Sequence, residues 1–582
     1  MRNLTAKVSV VVMFALVTLV VAAQAPPPAV PRPFTPVTQK MLENPGQDDW
    51  LMFSRTYDAQ RYSPLKQISK QNVGQLKSVF DVEFGNGSVE TIPIVHDGVM
   101  YVAPPGNSIR ALDAATGATI WEYKRPGNGQ TRTKAIAIYQ DLILFTSADS
   151  YVVGIDARTG QMRWETKVET RGNSQGAIVA DGKVISGGSC GGNRNNCFIS
   201  AHDAMTGKEL WRFYTTPAPG EPGDESWGGA DVKNRQASTW GLPGTYDVGR
   251  KVLYWGVANP MPDQRSARHD GKPDAVSRQA PADLYSNSTI ALDPNTGKLK
   301  WYYQHLPGDD WDSDDTHERT LVRTRVNPDP KSVKWINPAI QRNQERDVVV
   351  TIGEAGGIFV LDRNDGTFLW ATPFPADTPN FVISDIDVKT GKTSINWDNV
   401  FKAPGERHII CFWNQRSYWP TAYSPVTNSI YTSYVDNCRD LTVGGTAPRG
   451  AGGQLNVVPR PGSDPNKLSG LAKINLSTGE ILRFDVGRAP GNGAVLATAG
   501  GLIFHGDMSQ KFKAFDAENG KELWQTTLEG NISVSTITYA VKGKQYVAVM
   551  TGDNPKVPEL LNEVPEMKTP RNHNGIHVFA LP

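Results

Sequence analysis

A short strand–turn–strand motif recurs seven times and limits what this 582-residue chain can fold into. Each copy has an apolar strand, an Asp or Asn, a turn that ends in Gly, and a second strand. Asp accepts hydrogen bonds from its own turn and Gly adopts the left-handed conformation, so each copy predicts a tight hairpin. Six copies carry a Trp four residues after the Gly, which we expect to fill the wedge between neighbouring sheets. The turns span residues 111–117, 154–160, 201–207, 291–297, 360–366, 473–479 and 514–520.

The spacing of these motifs predicts an all-β protein. The shortest intervals, from Asp113 to Asp156 and from Asn475 to Asp516, fit a four-stranded propeller blade of roughly 40–50 residues, and the longer ones carry insertions. A further strand set is predicted over 532–550. The segment 578–582 forms a strand without a turn, which should pair with an N-terminal strand and close a ring. We therefore predict an eight-bladed β-propeller with tryptophan-docking repeats over residues 37–582; seven blades is the alternative.

The first 36 residues predict export. Arg2 and Lys7 precede an apolar run from Val8 to Ala22, and Ala23-Gln24-Ala25 offers the small residues of a cleavage site. Residues 1–25 are therefore predicted to be a signal peptide and residues 26–36 a proline-rich leader, with a retained N-terminal anchor as the alternative. Since no second apolar run of that kind follows, we expect a periplasmic or secreted protein without a membrane span after cleavage.

The net charge and the cysteine content further restrict the class of protein to which this chain can belong. The net charge is +1 without a long basic run, which gives no support to nucleic-acid binding. Four cysteines in an exported chain favour disulfides, and they fall into two local pairs, Cys190 with Cys197 and Cys411 with Cys438. Cys-x-x-Cys-His is absent, so we expect no covalently attached haem of the c type.

The opening segment Ser54 to Leu65, together with the Trp-ending repeats, resembles the pyrroloquinoline-quinone (PQQ) dependent alcohol dehydrogenases of the methanol/ethanol type. The resemblance covers residues 35–582. It implies that bound PQQ oxidises an alcohol with the help of a hard cation, calcium or a lanthanide. It also implies that electrons leave to a separate cytochrome c.

The resemblance assigns catalytic and metal-binding roles in two segments. In Asp309-Asp310-Trp311-Asp312-Ser313-Asp314 it implies that Asp312 is the catalytic base and a metal ligand, and that Asp314 is the extra ligand of lanthanide-using members. In Gly256-Val257-Ala258-Asn259-Pro260 it implies that Asn259 supplies a metal oxygen ligand. The alternatives are a solvated acidic loop and a plain Asn-Pro turn.

The remaining assignments are cofactor contacts. Trp240 is expected to stack on the quinone, since it lies outside the Trp spacing of the repeats. Cys411 and Cys438 are not cofactor contacts; they resemble the family's disulfide around Trp419-Pro420, which supports the fold. The further cofactor-binding residues implied by the resemblance are Glu90, Lys134, Ser174, Ser189, Thr239 and Glu354.

Three departures from the family pattern leave a second hypothesis open. The vicinal cysteines usual in the family are absent, and residues 128–132 stand in their place. Gly192 stands at the position of a metal-ligand Glu. Glu354 stands where a basic residue is usual. Asn193 or Asp314 are candidates to replace the lost oxygen. The alternative function is a propeller that binds protein or ligand without redox chemistry. If the chain is an enzyme, the altered pocket favours an alcohol larger than methanol.

Overall fold

Antiparallel strands account for most of the regular structure in the part of the chain that the structure describes. A computed structural model describes residues 34–127, 129, 132–169, 172–412, 416–443 and 454–582. The predicted signal peptide and residues 26–33 of the predicted leader lie outside these residues. Phe34–Pro582 forms one unit.

Four sheets follow one another in the first half of the chain, and each is an antiparallel set of four strands. Sheet 1 contains Ile94–His96, Val99–Val102, Ser108–Asp113 and Thr119–Lys124. Sheet 2 contains Ala137–Tyr139, Leu142–Thr146, Tyr151–Asp156 and Met162–Lys167. Sheet 3 contains Ile178–Ala180, Lys183–Ser186, Phe198–Asp203 and Glu209–Tyr214. Sheet 4 contains Thr245–Asp247, Val252–Gly256, Ser288–Leu292 and Leu299–Gln304.

Four more sheets of four or five strands occupy the second half. Sheet 5 contains Thr320–Val326, Gln344–Ile352, Ile358–Asp362, Phe368–Thr372 and Trp335–Ile336. Sheet 6 contains Ala422–Ser424, Ser429–Val435, Ser469–Asn475 and Ile481–Gly487. Sheet 7 contains Leu496–Thr498, Leu502–Gly506, Lys511–Asp516, Glu522–Thr527 and the parallel strand Tyr62–Ser63. Sheet 8 contains Thr536–Val541, Lys544–Thr551, Gly575–Ala580 and Lys77–Glu83.

Smaller elements lie between these sheets. Two-stranded pairs join Gln236–Ala237 to Pro260–Met261 and Ile383–Ile386 to Thr393–Ile395, and a three-stranded sheet contains Arg407–Cys411, Asn437–Thr442 and Gln454–Pro459. The α-helices are Gln39–Glu43, Arg265–Arg268 and Lys556–Leu561. The 3-10 helices are Val73–Gln75, Arg194–Asn196, Asp224–Trp227, Val232–Asn234, Trp397–Asn399 and Pro465–Lys467. Among the described residues, no helix is long and apolar enough to span a bilayer.

The repeat turns form as the sequence predicts. In the first turn, Asp113 Oδ1 accepts hydrogen bonds from the backbone N–H groups of Ala115 and Thr116 at 3.0 and 2.9 Å. Gly117 closes this turn with a φ of +75°. A side chain there is disfavoured both by this left-handed backbone and by the neighbouring sheet. The predicted hairpins are therefore confirmed.

The repeat tryptophans dock each sheet onto the next. Trp121 of sheet 1 lies over Gly160 of sheet 2, so closely that a Cβ on this glycine would be 2.6 Å from the ring, and its Nε1 donates to the carbonyl of Ala157 at 3.1 Å. Trp211 repeats the arrangement with Gly297. The repeat without a Trp uses the next residue along, because Phe484 covers Gly520 in the same way. The predicted wedge role of these side chains is confirmed.

The last sheet also packs on the first. Gly575–Ala580 pairs antiparallel with Lys77–Glu83, with Lys77 opposite Ala580, so the predicted pairing of the C-terminal strand is confirmed. The Tyr539 hydroxyl of sheet 8 donates to the Ala114 carbonyl of sheet 1 at 2.6 Å. Sheets that pack face to face in chain order, with strands from both ends of the described chain in one sheet, define a β-propeller fold.

Both predicted disulfides are present. Cys190 bonds to Cys197 and closes a short loop, and Cys411 bonds to Cys438 across a pair of strands. All four cysteines of the chain are used in this way.

Candidate cofactor and metal site

Four of the predicted site residues, Trp240, Asn259, Asp312 and Asp314, lie in insertions between the repeats. Gln236–Ala237 pairs with Pro260–Met261, with Ala237 opposite Pro260. This pairing brings the loop that carries Trp240 beside the segment that carries Asn259. The acidic segment 309–314 follows the last strand of sheet 4 and reaches the same place.

Asp314 joins three of the predicted residues directly. Its Oδ2 accepts a hydrogen bond from Trp240 Nε1 at 2.8 Å, and its Oδ1 accepts one from the Asn259 backbone N–H at 3.2 Å. Its carbonyl accepts the Glu354 backbone N–H at 3.1 Å. Asp314 is only 7% exposed. The expected stacking tryptophan and metal-ligand asparagine therefore meet at one buried carboxyl group, and Glu354 is held by the backbone of the same residue.

Three carboxyl groups repel one another here. Burial, followed by the charges of Asp312 and Glu354, raises the pKa of Asp314 well above its usual range. Burial also raises the pKa of Glu354 to about 7; Lys556 acts against this shift and Asp312 adds to it. A bound cation would relieve this repulsion, because an opposite charge nearby favours the ionised form of each acid.

Asp312 differs from its neighbours in being accessible. Its side chain is 28% exposed, and Arg439 Nη2 lies 3.5 Å from its Oδ2. Arg439 Nη1 also donates to the carbonyl of Trp311, so one guanidinium contacts two successive residues of the acidic segment. Trp311 is buried and donates from Nε1 to the Asn399 carbonyl at 2.8 Å. The loop is thus anchored on both sides of a carboxylate that a substrate can reach.

Asp309 and Asp310 hold the loop from inside. Asp309 accepts the backbone N–H groups of Trp311 and Ser313 at 2.7 and 2.8 Å, and Asp310 accepts that of Phe401 at 2.7 Å. Burial raises the pKa of Asp309 to about 6 and that of Asp310 to about 7. Because their oxygens are occupied by backbone donors, both acids serve to shape the loop.

Arg268 links the two loops that carry the predicted metal ligands. From the short helix Arg265–Arg268 it donates to the carbonyls of Pro262 and Asp263 at 2.5 Å each, and to that of Asp309 at 2.7 Å. Its guanidinium also forms a buried ion pair with Asp283 at 3.1 Å. One side chain therefore fixes the Asn259 segment relative to the acidic segment.

A buried ion pair borders the other side of Trp240. Lys134 Nζ lies 2.9 Å from Glu90 Oε2, 3.4 Å from Ser174 Oγ and 3.4 Å from the Trp240 carbonyl. Burial lowers the pKa of Lys134, while Glu90 acts to raise it. The same ammonium lies 4.4 Å from the centre of the Tyr418 ring, which meets Trp240 edge to face at 5.4 Å. Charged, hydroxyl and aromatic groups thus surround one face of the site.

Thr239 and Ser189 lie at the edge of this group. The Thr239 hydroxyl accepts the Gly188 N–H at 3.0 Å and is buried. Ser189 follows Gly188 and is half-buried, with its backbone N–H on the Gly172 carbonyl at 3.1 Å. These contacts place both residues next to the Trp240 loop.

Gly192 leaves the position of the usual metal-ligand Glu without a side chain. It is exposed, and a Cβ added to it would meet nothing within 4 Å. Its N–H donates to Gln236 Oε1 at 3.0 Å. Across the residues that the structure describes, no three His, Cys, Asp or Glu side chains are close enough to hold a metal by themselves. A cation here therefore needs oxygens from Asn259 and from a bound cofactor as well.

Buried polar atoms without partners fit a polar cofactor. Both polar side-chain atoms of Asn173, Ser417 Oγ and Glu354 Oε1 are buried and have no hydrogen-bond partner among the residues that the structure describes. Each such group costs free energy unless something pairs with it. Together with the cationic and aromatic groups nearby, these atoms fit a planar, anionic quinone, and the acidic cluster fits a hard cation that prefers oxygen ligands.

Sequence patterns missed several neighbours of the site. Tyr418, Arg439 and Lys556 belong to no repeat turn and lie far along the chain from the acidic segment, so local patterns did not identify them. Arg439 had one indirect signal, since it directly follows Cys438 of a predicted disulfide. Asp263 had none.

Comparison with known proteins shows the family of the chain. The family model for the PQQ β-propeller domain of glucose, ethanol and alcohol dehydrogenases matches residues 50–376 and 469–547. The quinohemoprotein alcohol dehydrogenase ADH-IIG of Pseudomonas putida is 30% identical over 87% of this chain and 72% of its own length. The solved structure of ADHIIG from Pseudomonas putida HK5 has a TM-score of 0.77 and 25% identity, and the match covers 94% of this chain and 83% of that one.

Two further relatives come from other bacteria. The quinoprotein ethanol dehydrogenase of Pseudomonas aeruginosa is 30% identical over 92% of this chain and 90% of its own length. The 1-butanol dehydrogenase (cytochrome c) of Thauera butanivorans is 29% identical over 84% of this chain and 72% of its own.

The fold and the match to the family model show that the chain is a β-propeller of the quinoprotein class. Within that class, the chain belongs to the family of PQQ-dependent alcohol dehydrogenases. Membership of an enzyme family favours the first of the two functions considered above over a propeller without redox chemistry.

Proposed function

We propose that this protein uses PQQ to oxidise an alcohol larger than methanol to an aldehyde or ketone, and passes the electrons to a separate cytochrome c. The observation that carries the proposal is the convergence of Trp240, Asn259 and Glu354 on Asp314, beside the accessible Asp312. Two of the relatives, an ethanol dehydrogenase and a cytochrome c-linked 1-butanol dehydrogenase, support the choice of substrate and acceptor.

The residues of the site divide into three roles in this proposal. Asp312 takes the hydroxyl proton of the alcohol as general base, and Arg439 keeps its carboxylate in place. Asn259, Asp312 and Asp314 hold a hard cation, calcium or a lanthanide. The cofactor is held by Glu90, Lys134, Ser174, Ser189, Thr239, Trp240 and Glu354. When bound, PQQ supplies the electron acceptor and the cation polarises its carbonyl.

We further propose that sheets 1–8 are the eight blades of a closed ring, and that the protein acts in the periplasm or outside the cell. The contacts of sheet 8 with sheet 1 support closure. The N-terminal sequence and the two disulfides support export, since disulfides persist in oxidising compartments.

The test is dye-linked alcohol oxidation by purified protein that has been reconstituted with PQQ and either calcium or a lanthanide. We expect turnover with at least one metal across an alcohol series that starts at methanol. Asp312→Asn should lower kcat by about 10²–10⁴-fold while PQQ absorbance is retained, because the amide cannot accept the proton although its oxygen can still bind the cation. Asp377→Asn is the matched control, an exposed acid paired with Lys334 at 2.7 Å. Absence of PQQ binding and of turnover with both metals would contradict the proposal.

A further inference from the structure

Asp263 is a buried carboxylate that contacts a predicted metal ligand from behind. It is 3% exposed, and its Oδ1 accepts a hydrogen bond from Asn259 Nδ2 at 2.9 Å. The carbonyl of Pro260 accepts from the same Nδ2 at 3.2 Å. Two acceptors therefore face the nitrogen end of one amide.

This arrangement selects one of the two orientations of the Asn259 amide. A carboxylate accepts hydrogen bonds and donates none, whereas an amide has one accepting and one donating end. Turning the amide over would place its oxygen against the Asp263 carboxylate and the Pro260 carbonyl, where oxygen would face oxygen. The Asn259 Oδ1 is therefore directed away from Asp263.

The backbone fixes both ends of this contact. The Asn259 N–H donates to Asp314 Oδ1 at 3.2 Å, which holds the residue beside the acidic cluster. The Asp263 carbonyl accepts from Arg268 Nη1 at 2.5 Å, and Arg268 also binds the carbonyl of Asp309. Neither Asn259 nor Asp263 can move without moving the loop that carries the acids.

We propose that Asp263 is a positioning residue that presents the Asn259 side-chain oxygen to the hard cation of the site. The inference rests on the proposed function, which places a cation at Asn259, Asp312 and Asp314. Only oxygen of the amide can bind such a cation, so an amide held the wrong way round would remove a ligand. Partners that orient metal ligands in this way change metal affinity by about 10–100-fold when they are mutated. The exposed Gly192, which offers no ligand, increases the dependence of the site on each remaining oxygen.

The experiment measures binding of terbium to the purified full-length protein loaded with PQQ, through emission sensitised by tryptophan. Trp240 donates to Asp314, so an ion bound by this carboxylate lies close to an indole ring. Asp263→Asn should raise the terbium Kd by about 10–100-fold, because an asparagine can pair with either end of the Asn259 amide. Asp231→Asn removes one negative charge from an exposed position of the same inserted segment and should leave the Kd unchanged.

A double variant distinguishes the effect of the Asn259 amide orientation on terbium affinity from effects of net charge and of misfolding. Asn259→Asp combined with Asp263→Asn keeps the net charge, and a carboxylate at 259 has no wrong end to present. We expect its Kd to return to within roughly threefold of the wild-type value, as coupled neighbours should. An unchanged Kd in Asp263→Asn, or a double variant that binds no better than Asp263→Asn, would overturn the inference alone. A wild-type protein without terbium binding would overturn the metal site of the proposed function and this inference with it.

Discussion

Glu90 and Lys134 form an ion pair that is closed off from solvent, with side chains 0% and 1% exposed. Removing two charges from water is costly, and the attraction between them repays this cost only when the geometry is good. A pair of apolar side chains would fill the same volume without this cost. The position of this ion pair beside Trp240 and Ser174 therefore fits the cofactor-binding role proposed above for Glu90 and Lys134.

We expect Lys134→Met to lower the free energy of unfolding by about 3–5 kcal/mol, because Glu90 then stays buried without its nearest cation. The double variant Glu90→Gln with Lys134→Met should be more stable than Lys134→Met, since it leaves no buried charge uncompensated. Urea unfolding of the cofactor-free proteins measures both. A double variant that is less stable than Lys134→Met would show that the pair is not electrostatically coupled.

Sequence could predict only part of the site at this scale. Asp312, Asp314, Asn259 and Trp240 were found because each stands in a short segment that resembles the family. Asp263 and Arg439 were not, because their roles depend on where two distant loops meet. Local sequence patterns do not indicate which distant loops come into contact.

Neighbouring sheets are joined by contacts between an aromatic ring of one sheet and a turn glycine of the next. Trp301 of sheet 4 covers Gly366 of sheet 5, and Trp164 of sheet 2 covers Gly207 of sheet 3. The glycine serves two purposes here, since its backbone is left-handed and its missing side chain leaves room for the ring. Within one repeat, the Gly receives the ring of the preceding sheet and the Trp four residues later covers the Gly of the following sheet. The spacing between them is therefore constrained by the hairpin and by both neighbouring sheets.

Substitutions at two glycines can distinguish the cost of the left-handed backbone from the cost of filling the space under the ring. Gly366 has a φ of +76° and a Cβ there would lie 2.6 Å from the Trp301 ring; Gly220 has a φ of +79° and open space around it. We expect Gly220→Ala to cost about 1–2 kcal/mol from the backbone alone. Gly366→Ala should cost a further 1–3 kcal/mol or so from overpacking. Equal losses in denaturant unfolding would contradict the docking role of Trp301.

The repeat made most of the sheets predictable, because hairpin, glycine and Trp are all local in sequence. It did not predict the three-stranded sheet that contains Asn437–Thr442 or the added strand Trp335–Ile336. These elements lie in insertions without the motif, and tertiary contacts decide their pairing.

In the whole molecule, sheet 8 combines strands from both ends of the described chain. Gly575–Ala580 lies between Lys77–Glu83 and Lys544–Thr551. Removing it would leave two strand edges unpaired and separate the N-terminal strand from its sheet. Unpaired edges readily pair with other chains.

Deletion of residues 575–582 should therefore abolish the monomeric species in size-exclusion chromatography and yield oligomers or aggregates. Deletion of residues 581–582 alone is the control, because it removes no residue of the strand. A monomeric product of the longer deletion, with an unchanged melting temperature, would show that sheet 8 does not depend on this strand.

The pairing of Lys77–Glu83 with Gly575–Ala580 also has a consequence for biosynthesis. Almost 500 residues separate the two strands, and at a synthesis rate of about 5–20 residues per second the first waits roughly 25–100 s for the second. During that time the nascent chain carries an incomplete sheet. Such a delay accords with the export proposed above, and while it lasts the incomplete sheet exposes a strand edge that can pair with other chains.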